Sequence, residues 1–190
     1  MKKKEFIALG LMSGTSMDGV DISLIKSDGK DQFSCILNDY CQFNDKLREK
    51  IINLRTKINS FQDLESQKGE LKTTEREITI FHNEIINKIS NNFNGEIDLI
   101  GFHGQTIFHN PIKKITKQLG NGSLLSQLTK RIVVNNFRQG DINNGGQGAP
   151  LVPIFHRLIS LIMRENKKLE YPALFMNIGG ITNITKLING

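Results

Sequence analysis

The chain has 190 residues, enough for one domain and part of another, with 25 Lys and Arg against 19 Asp and Glu for a net charge of +6. Hydrophobic residues make up 38% and charged residues 23%, which excludes a disordered chain, and no apolar run approaches the roughly 20 residues of a membrane span. The positive charge is scattered Lys in an Ile- and Asn-rich chain, without an Arg stripe or Trp, so it predicts no nucleic-acid partner. Lys2, Lys3 and Lys4 imitate the start of a signal peptide. The apolar run behind them is short and leads into Ser and Gly rather than a cleavage site, so a cytoplasmic protein is expected. Cys35 and Cys41 read as two buried thiols, not a disulfide or a metal framework.

In chain order, 6–12 is an apolar run that predicts a buried strand, and 20–24 alternates as a second strand. Asp28-Gly29 predicts a hairpin turn into a third strand over about 33–43. Asn44 or Asp45 caps a helix carrying Leu47, Ile51, Leu54 and Ile58 on one face, and a second helix is expected over about 63–91. A strand follows at 97–102, ending in His103-Gly104-Gln105-Thr106. Then come a short helix at 123–130, a strand at 131–134, a Gly-rich polar loop at 135–148, and a helix at 150–164. The charged stretch 165–170 is the expected domain boundary. Two strands, 173–176 and 181–187, close the chain. The organisation expected is a first α/β domain over 1–165 and the start of a second over 166–190.

Four loops carry polar chemistry. The first joins two strands with Gly14, Thr15, Ser16, Met17, Asp18 and Gly19. Such a loop is either a tight turn or a cradle whose backbone amides and hydroxyls meet phosphates. Asp18 or Asp21 could hold a hydrated Mg²⁺ beside them. It is not a Walker loop, since the Gly-Lys pair is missing and a strand follows. A second turn, Asn177 to Asn183 with Gly179 and Gly180, repeats the strand–Gly–strand pattern about 165 residues later. The third loop runs from Arg138 through Asp141, Gly145, Gly146, Gln147 and Gly148 into a helix. Asp141 is its candidate general base. The fourth, 101–106, places His103, Gln105 and Thr106 at a strand end, with His109 following. That arrangement suits a hydroxylated ligand better than a metal, and no metal site is expected.

With these loops in view, the sequence resembles the anhydro-N-acetylmuramic acid kinase family. The stretches GLMSGTSMDGVD (10–21), GFHGQTIFHNP (101–111), DINNGGQGAPLVP (141–153) and NIGGITNIT (177–185) carry the resemblance, in the family's order. It implies an α/β, actin/hexokinase-like (ribonuclease H-like) ATPase fold of two domains around a nucleotide cleft, with only the first hairpin of the second domain in this chain. It also implies ATP and Mg²⁺ as cofactors and 1,6-anhydro-N-acetylmuramic acid as substrate. The product is N-acetylmuramic acid 6-phosphate, from recycled peptidoglycan.

By position, Gly14, Thr15, Ser16, Met17, Asp18, Gly19, Val20 and Asp21 would bind ATP, as would Gly179, Gly180 and Asn183. Asp141 would be the catalytic base, and His103, Gln105, Thr106, Arg138, Gly146 and Gln147 would line the sugar site. The family usually has Asp-Phe-Arg where this chain has Asn136-Phe137-Arg138. Family chains continue through a full second domain, so the 190 residues alone are expected to be inactive. A homodimer or a complementing second-domain chain is the expected partner. The competing expectation is a non-catalytic amino-sugar-binding remnant.

Overall fold

The computed structural model describes residues 5–178 and 182–188. The chain opens as the expected meander: β1 (Phe6–Ser13), β2 (Gly19–Ser27) and β3 (Phe33–Gln42) pair antiparallel. After three helices the chain returns as β4 (Leu99–Asn110), which lies parallel to β1. A six-stranded sheet results in the order β3-β2-β1-β4-β5, where β5 is Ile115–Leu119 and β6 (Ile132–Asn135) also pairs with β4. The sheet is mixed because three connections are hairpins and two carry helices.

Alternation decides which face is buried. Leu9 and Leu11 of β1, Val20, Ile22 and Leu24 of β2, and Ile100 and Phe102 of β4 form one core with the helices. The helix α1 (Asp45–Lys57) contributes Leu47, Ile51 and Leu54, at the spacing that keeps side chains on one stripe. Its start is fixed by Asn44 Oδ1, which accepts the Leu47 amide at 2.9 Å.

The single helix expected over 63–91 is two helices. A capping box of Ser60 and Asp63 starts α2 (Phe61–Ser66), and the chain turns at Gln67 into α3 (Lys68–Asn92). That cap carries the signal, with Ser three residues before an acidic side chain. His82 of α3 is fully buried against the Phe102 ring at 4.9 Å, and its Nδ1 lies 2.7 Å from the Ile78 carbonyl. Burial pushes this imidazole down to about 4, so it is neutral in the folded protein.

Beyond β5, α4 (Gly122–Thr129) is capped by Asn121 and leads into β6. The polar loop expected over 135–148 contains a short helix, α5 (Phe137–Asn143), and the helix expected from Pro150 begins later, as α6 (Pro153–Glu165). Among the described residues the last two strands, β7 (Ala173–Asn177) and β8 (Asn183–Leu187), pair only with each other. His156 of α6 fastens them, stacking on Phe175 at 4.9 Å and lying 2.8 Å from Thr185 Oγ1. Cys35 is exposed and Cys41 half-buried, so the expectation of two buried thiols is corrected; both sit on β3, at the sheet edge.

The sheet face away from α1 and α3 presents Gly10, Met12, Asp21, Ser23 and Gly101. There an open cleft of about 530 Å³ is bounded by Phe137 at the start of α5.

Candidate active site

The first loop is built by the β1–β2 turn. The Met17 amide donates to the Gly14 carbonyl at 3.3 Å, and Met17 takes a left-handed φ of 55°. Thr15 and Ser16 are exposed at the tip. Ser16 Oγ donates to Asp18 Oδ1 at 2.5 Å, and the Asp18 carbonyl accepts the Phe43 amide at 2.9 Å. The Ser16 hydroxyl is the main reason the Asp18 carboxyl lies below its ordinary range; Tyr40 and Arg48 assist against the opposing effect of desolvation. Asp18 is therefore a carboxylate at neutral pH.

Two further observations shape this loop. Gly19 is required by packing, because a Cβ there would sit 2.5 Å from the Cys41 carbonyl and 2.6 Å from the Tyr40 hydroxyl. Tyr40 is thus part of the site, and its own pKa is raised by desolvation and by the charges of Asp18 and Asp21. Sequence reasoning passed over Tyr40, although strand alternation places it opposite Asp21.

Not every residue assigned to ATP is available to a ligand. Val20 is 0% exposed and packs in the core, so its side chain supports the loop from beneath. Asp21 is exposed on the cleft side. Gly179 and Gly180 lie outside the described residues. Asn183 is half-buried and opens β8, paired with Asn177.

The residues assigned to the sugar divide in the same way. β4 does not end at 102, as expected, but continues to Asn110, so 103–106 lies inside a strand. Gln105 is 0% exposed. Its Nε2 donates to the Gly14 carbonyl at 3.0 Å, tying the first loop to the central strand. The bond braces the first loop from below, and Gln105 Oε1 has no hydrogen-bond partner among the described residues. Thr106 is half-buried, with its hydroxyl 3.4 Å from Gln118 Nε2 on β5. Sequence separation concealed the Gln105–Gly14 link, which spans 91 positions.

His103, Arg138 and Asp141 do come together. The Arg138 Nε donates to His103 Nε2 at 2.8 Å, and its Nη1 donates to the Gly148 carbonyl at 2.7 Å. The Gly148 amide donates to Asp141 Oδ2 at 2.7 Å, and the Gly146 amide to the Asp141 carbonyl at 2.9 Å. Asp141 is in the last turn of α5, where the sequence suggested a loop. Gly146 lies directly against its carboxylate, where no Cβ would fit, and Gln147 is exposed. Burial and the neighbouring Arg138 charge pull His103 down to about 4, so it faces the guanidinium uncharged.

The donor set suits phosphate and sugar chemistry. Among the described residues no group of three His, Cys, Asp or Glu side chains could cage a metal ion. A hydrated Mg²⁺ held mainly by phosphates needs only one or two carboxylates, and the ionised Asp18 beside exposed hydroxyls fits that demand. No helix among the described residues is long and apolar enough to cross a membrane.

Comparison with known proteins agrees with this donor set. The model of the family described as anhydro-N-acetylmuramic acid kinase matches residues 6–190. The chain is 51% identical over 187 residues to the anhydro-N-acetylmuramic acid kinase of Pelagibacter ubique (strain HTCC1062), covering 98% of this chain and 49% of that one. Identity is 38% over 186 residues with the enzyme of that name from Agrobacterium fabrum, covering 96% and 49%. It is 36% over 184 residues with the one from Rhodopseudomonas palustris (strain HaA2), covering 94% and 48%. The chain spans about half the length of the curated relatives it matches. The mixed sheet with its helices is the actin/hexokinase-like ATPase arrangement, present in part.

Proposed function

The chain belongs to the anhydro-N-acetylmuramic acid kinase family, and from that premise we propose that it supplies the base and one phosphate loop of an ATP-dependent kinase acting on 1,6-anhydro-N-acetylmuramic acid. The observation that carries the reading is the Asp141 clamp: one carboxylate oxygen accepts the Gly148 amide, and among the described residues the other accepts none. A carboxylate fixed at one oxygen and open at the other is arranged to take a proton.

In this reading Asp141 removes a proton from a water that attacks C1 of the sugar. The C1–O6 bond breaks, and O6 takes the γ-phosphoryl group from ATP as ADP leaves. The product is the 6-phosphate of N-acetylmuramic acid, as peptidoglycan recycling in the cytoplasm requires. Mg²⁺ would neutralise charge on the transferring phosphates, and Asp18 and Asp21 would be the carboxylates that hold it through its waters. Thr15 and Ser16 with the Gly14 and Gly19 backbone would orient the phosphates, and Gly179, Gly180 and Asn183 would meet them from the other side. Arg138, through its remaining Nη2, and Gly146 and Gln147 would bind the sugar.

Adenosine has no counterpart among these groups, and β7 and β8 expose Leu174, Met176 and Ile184 at 64%, 56% and 57%. A two-stranded hairpin is marginal in water by itself. We therefore assign the adenosine half of the cleft to the part of the relatives' length that these 190 residues do not span.

The test incubates the chain with ATP, Mg²⁺ and the anhydro-sugar, alone and mixed with the second half of a family member. Product is expected in the mixture only, and Asp141→Asn should lower its kcat by at least about 10²-fold with little change in sugar affinity. Near-normal turnover by that variant would remove the base assignment. Sugar binding with no turnover in any mixture would leave the non-catalytic remnant.

A further inference from the structure

We propose that His103 is a positioning residue, which sets Asp141 through Arg138 and the Gly148 peptide, and is not a sugar ligand. The inference rests on Asp141 being the base. Both ring nitrogens of His103 are engaged within the protein. Nδ1 lies 2.6 Å from the Gly104 carbonyl, which can only accept, so Nδ1 carries the proton. Nε2 then presents its lone pair to the Arg138 Nε–H at 2.8 Å. No polar atom of the ring is left for a ligand.

The bonds continue in one direction. Arg138 holds the Gly148 carbonyl at 2.7 Å, and the amide of that same residue holds Asp141 Oδ2 at 2.7 Å. Gly148 has a φ of 73°, and an added Cβ would crowd the Arg138 carbonyl at 3.1 Å and Ile142 at 3.0 Å. Both faces of this one residue are therefore clamped, by the first and last turns of α5. His103 stands on the central strand, so it is the point at which the clamp meets the rigid sheet. Arg138 would otherwise be a long, rotamer-rich side chain with its Nε unpaired and only partly solvated.

The test follows single amides in the full 190-residue chain by NMR. In His103→Leu the Gly148 amide should exchange at least about tenfold faster than in the unaltered protein, while the Ile100 amide in the β1–β4 ladder stays unchanged. His103→Gln carries both an acceptor and a donor, and should return the Gly148 rate to within about threefold. Equal acceleration in both variants, or none in His103→Leu, overturns the proposal. A second measurement needs no variant: the His103 ring nitrogens of the unaltered chain should show the Nδ1–H tautomer, and a proton on Nε2 overturns it as well. Turnover by Asp141→Asn would instead remove the base assignment while leaving these exchange rates and the tautomer as they are.

Discussion

Gly19→Ala should destabilise the protein by about 1–3 kcal/mol, whereas Gly14→Ala, five residues earlier in the same loop, should cost nothing. At Gly19 the new methyl would lie 2.5 Å from the Cys41 carbonyl and 2.6 Å from the Tyr40 hydroxyl. The half-exposed tyrosine can swing aside. The carbonyl cannot, because Cys41 pairs with Val20 in the β2–β3 ladder. Relief requires a backbone displacement of several tenths of an ångström, and overpacking of that kind costs about 1–3 kcal/mol. The entropy lost by the unfolded chain returns about 0.4–1 kcal/mol at most. At Gly14 the nearest atom to a Cβ is Ser16 Oγ at 3.7 Å, an ordinary contact, so only the small entropic gain remains. Urea unfolding followed by circular dichroism reads both variants, provided the slope with denaturant is unchanged. The melting temperature of Gly19→Ala should fall by about 2–4 °C per kcal/mol. A Gly19→Ala protein within about 0.5 kcal/mol of the parent would refute the close packing of Gly19 beneath the loop.

Gly14→Val should leave the fold intact but weaken ATP binding at least about tenfold, measured by calorimetry on the complemented protein, because a branched side chain enters the space where phosphate oxygens meet backbone amides. Acid should destabilise the chain before its carboxylates titrate. His82 and His103 are both held neutral with pKa values near 4, so unfolding takes up protons: stability is full above about pH 6.5 and falls by about 1.4 kcal/mol per pH unit for each imidazole until pH 4. His82→Leu should roughly halve that slope in urea titrations across the window, and an unchanged slope counts against the buried neutral imidazole.

The meander and the helices were legible because each writes its period into the sequence. Val20, Ile22 and Leu24 alternate with polar partners, and Leu47, Ile51 and Leu54 repeat at helical spacing. The helix α5 wrote no such period. It has seven residues, one buried side chain in Ile142, and a glycine in its middle, so composition pointed to a loop. The edge strand β5, Ile-Thr-Lys-Gln-Leu, is short and largely polar, and only Leu119 is buried. The run His103-Gly104-Gln105-Thr106 looked like a strand end because its residues are polar. It continues as a strand, and Gln105 Nε2 and His103 Nε2 find their partners in segments distant in sequence. The motifs singled out the candidate residues, but which of them are open to a ligand and which brace a neighbour depends on contacts across 35 and 91 positions.

One irregularity in β4 connects those two contacts. Between Phe102 and Gln105 the strand carries one residue more than β1 does between Leu11 and Ser13, and Gly104 absorbs it with a φ of 70°. In a regular strand, residues two apart point the same way. Here the extra residue reverses the parity, so Gln105 dips into the core to reach Gly14 while His103 stands on the other face to reach Arg138. A single strand thereby acts as a ruler between two loops, its graduation the pleat itself, at about 3.3 Å per residue. Deleting the extra residue would restore a flat strand and turn one of the two anchors away from its loop. The spacing between the first loop and Asp141 can therefore change only in whole-residue steps, and natural variation in this segment should proceed by substitution and not by insertion or loss.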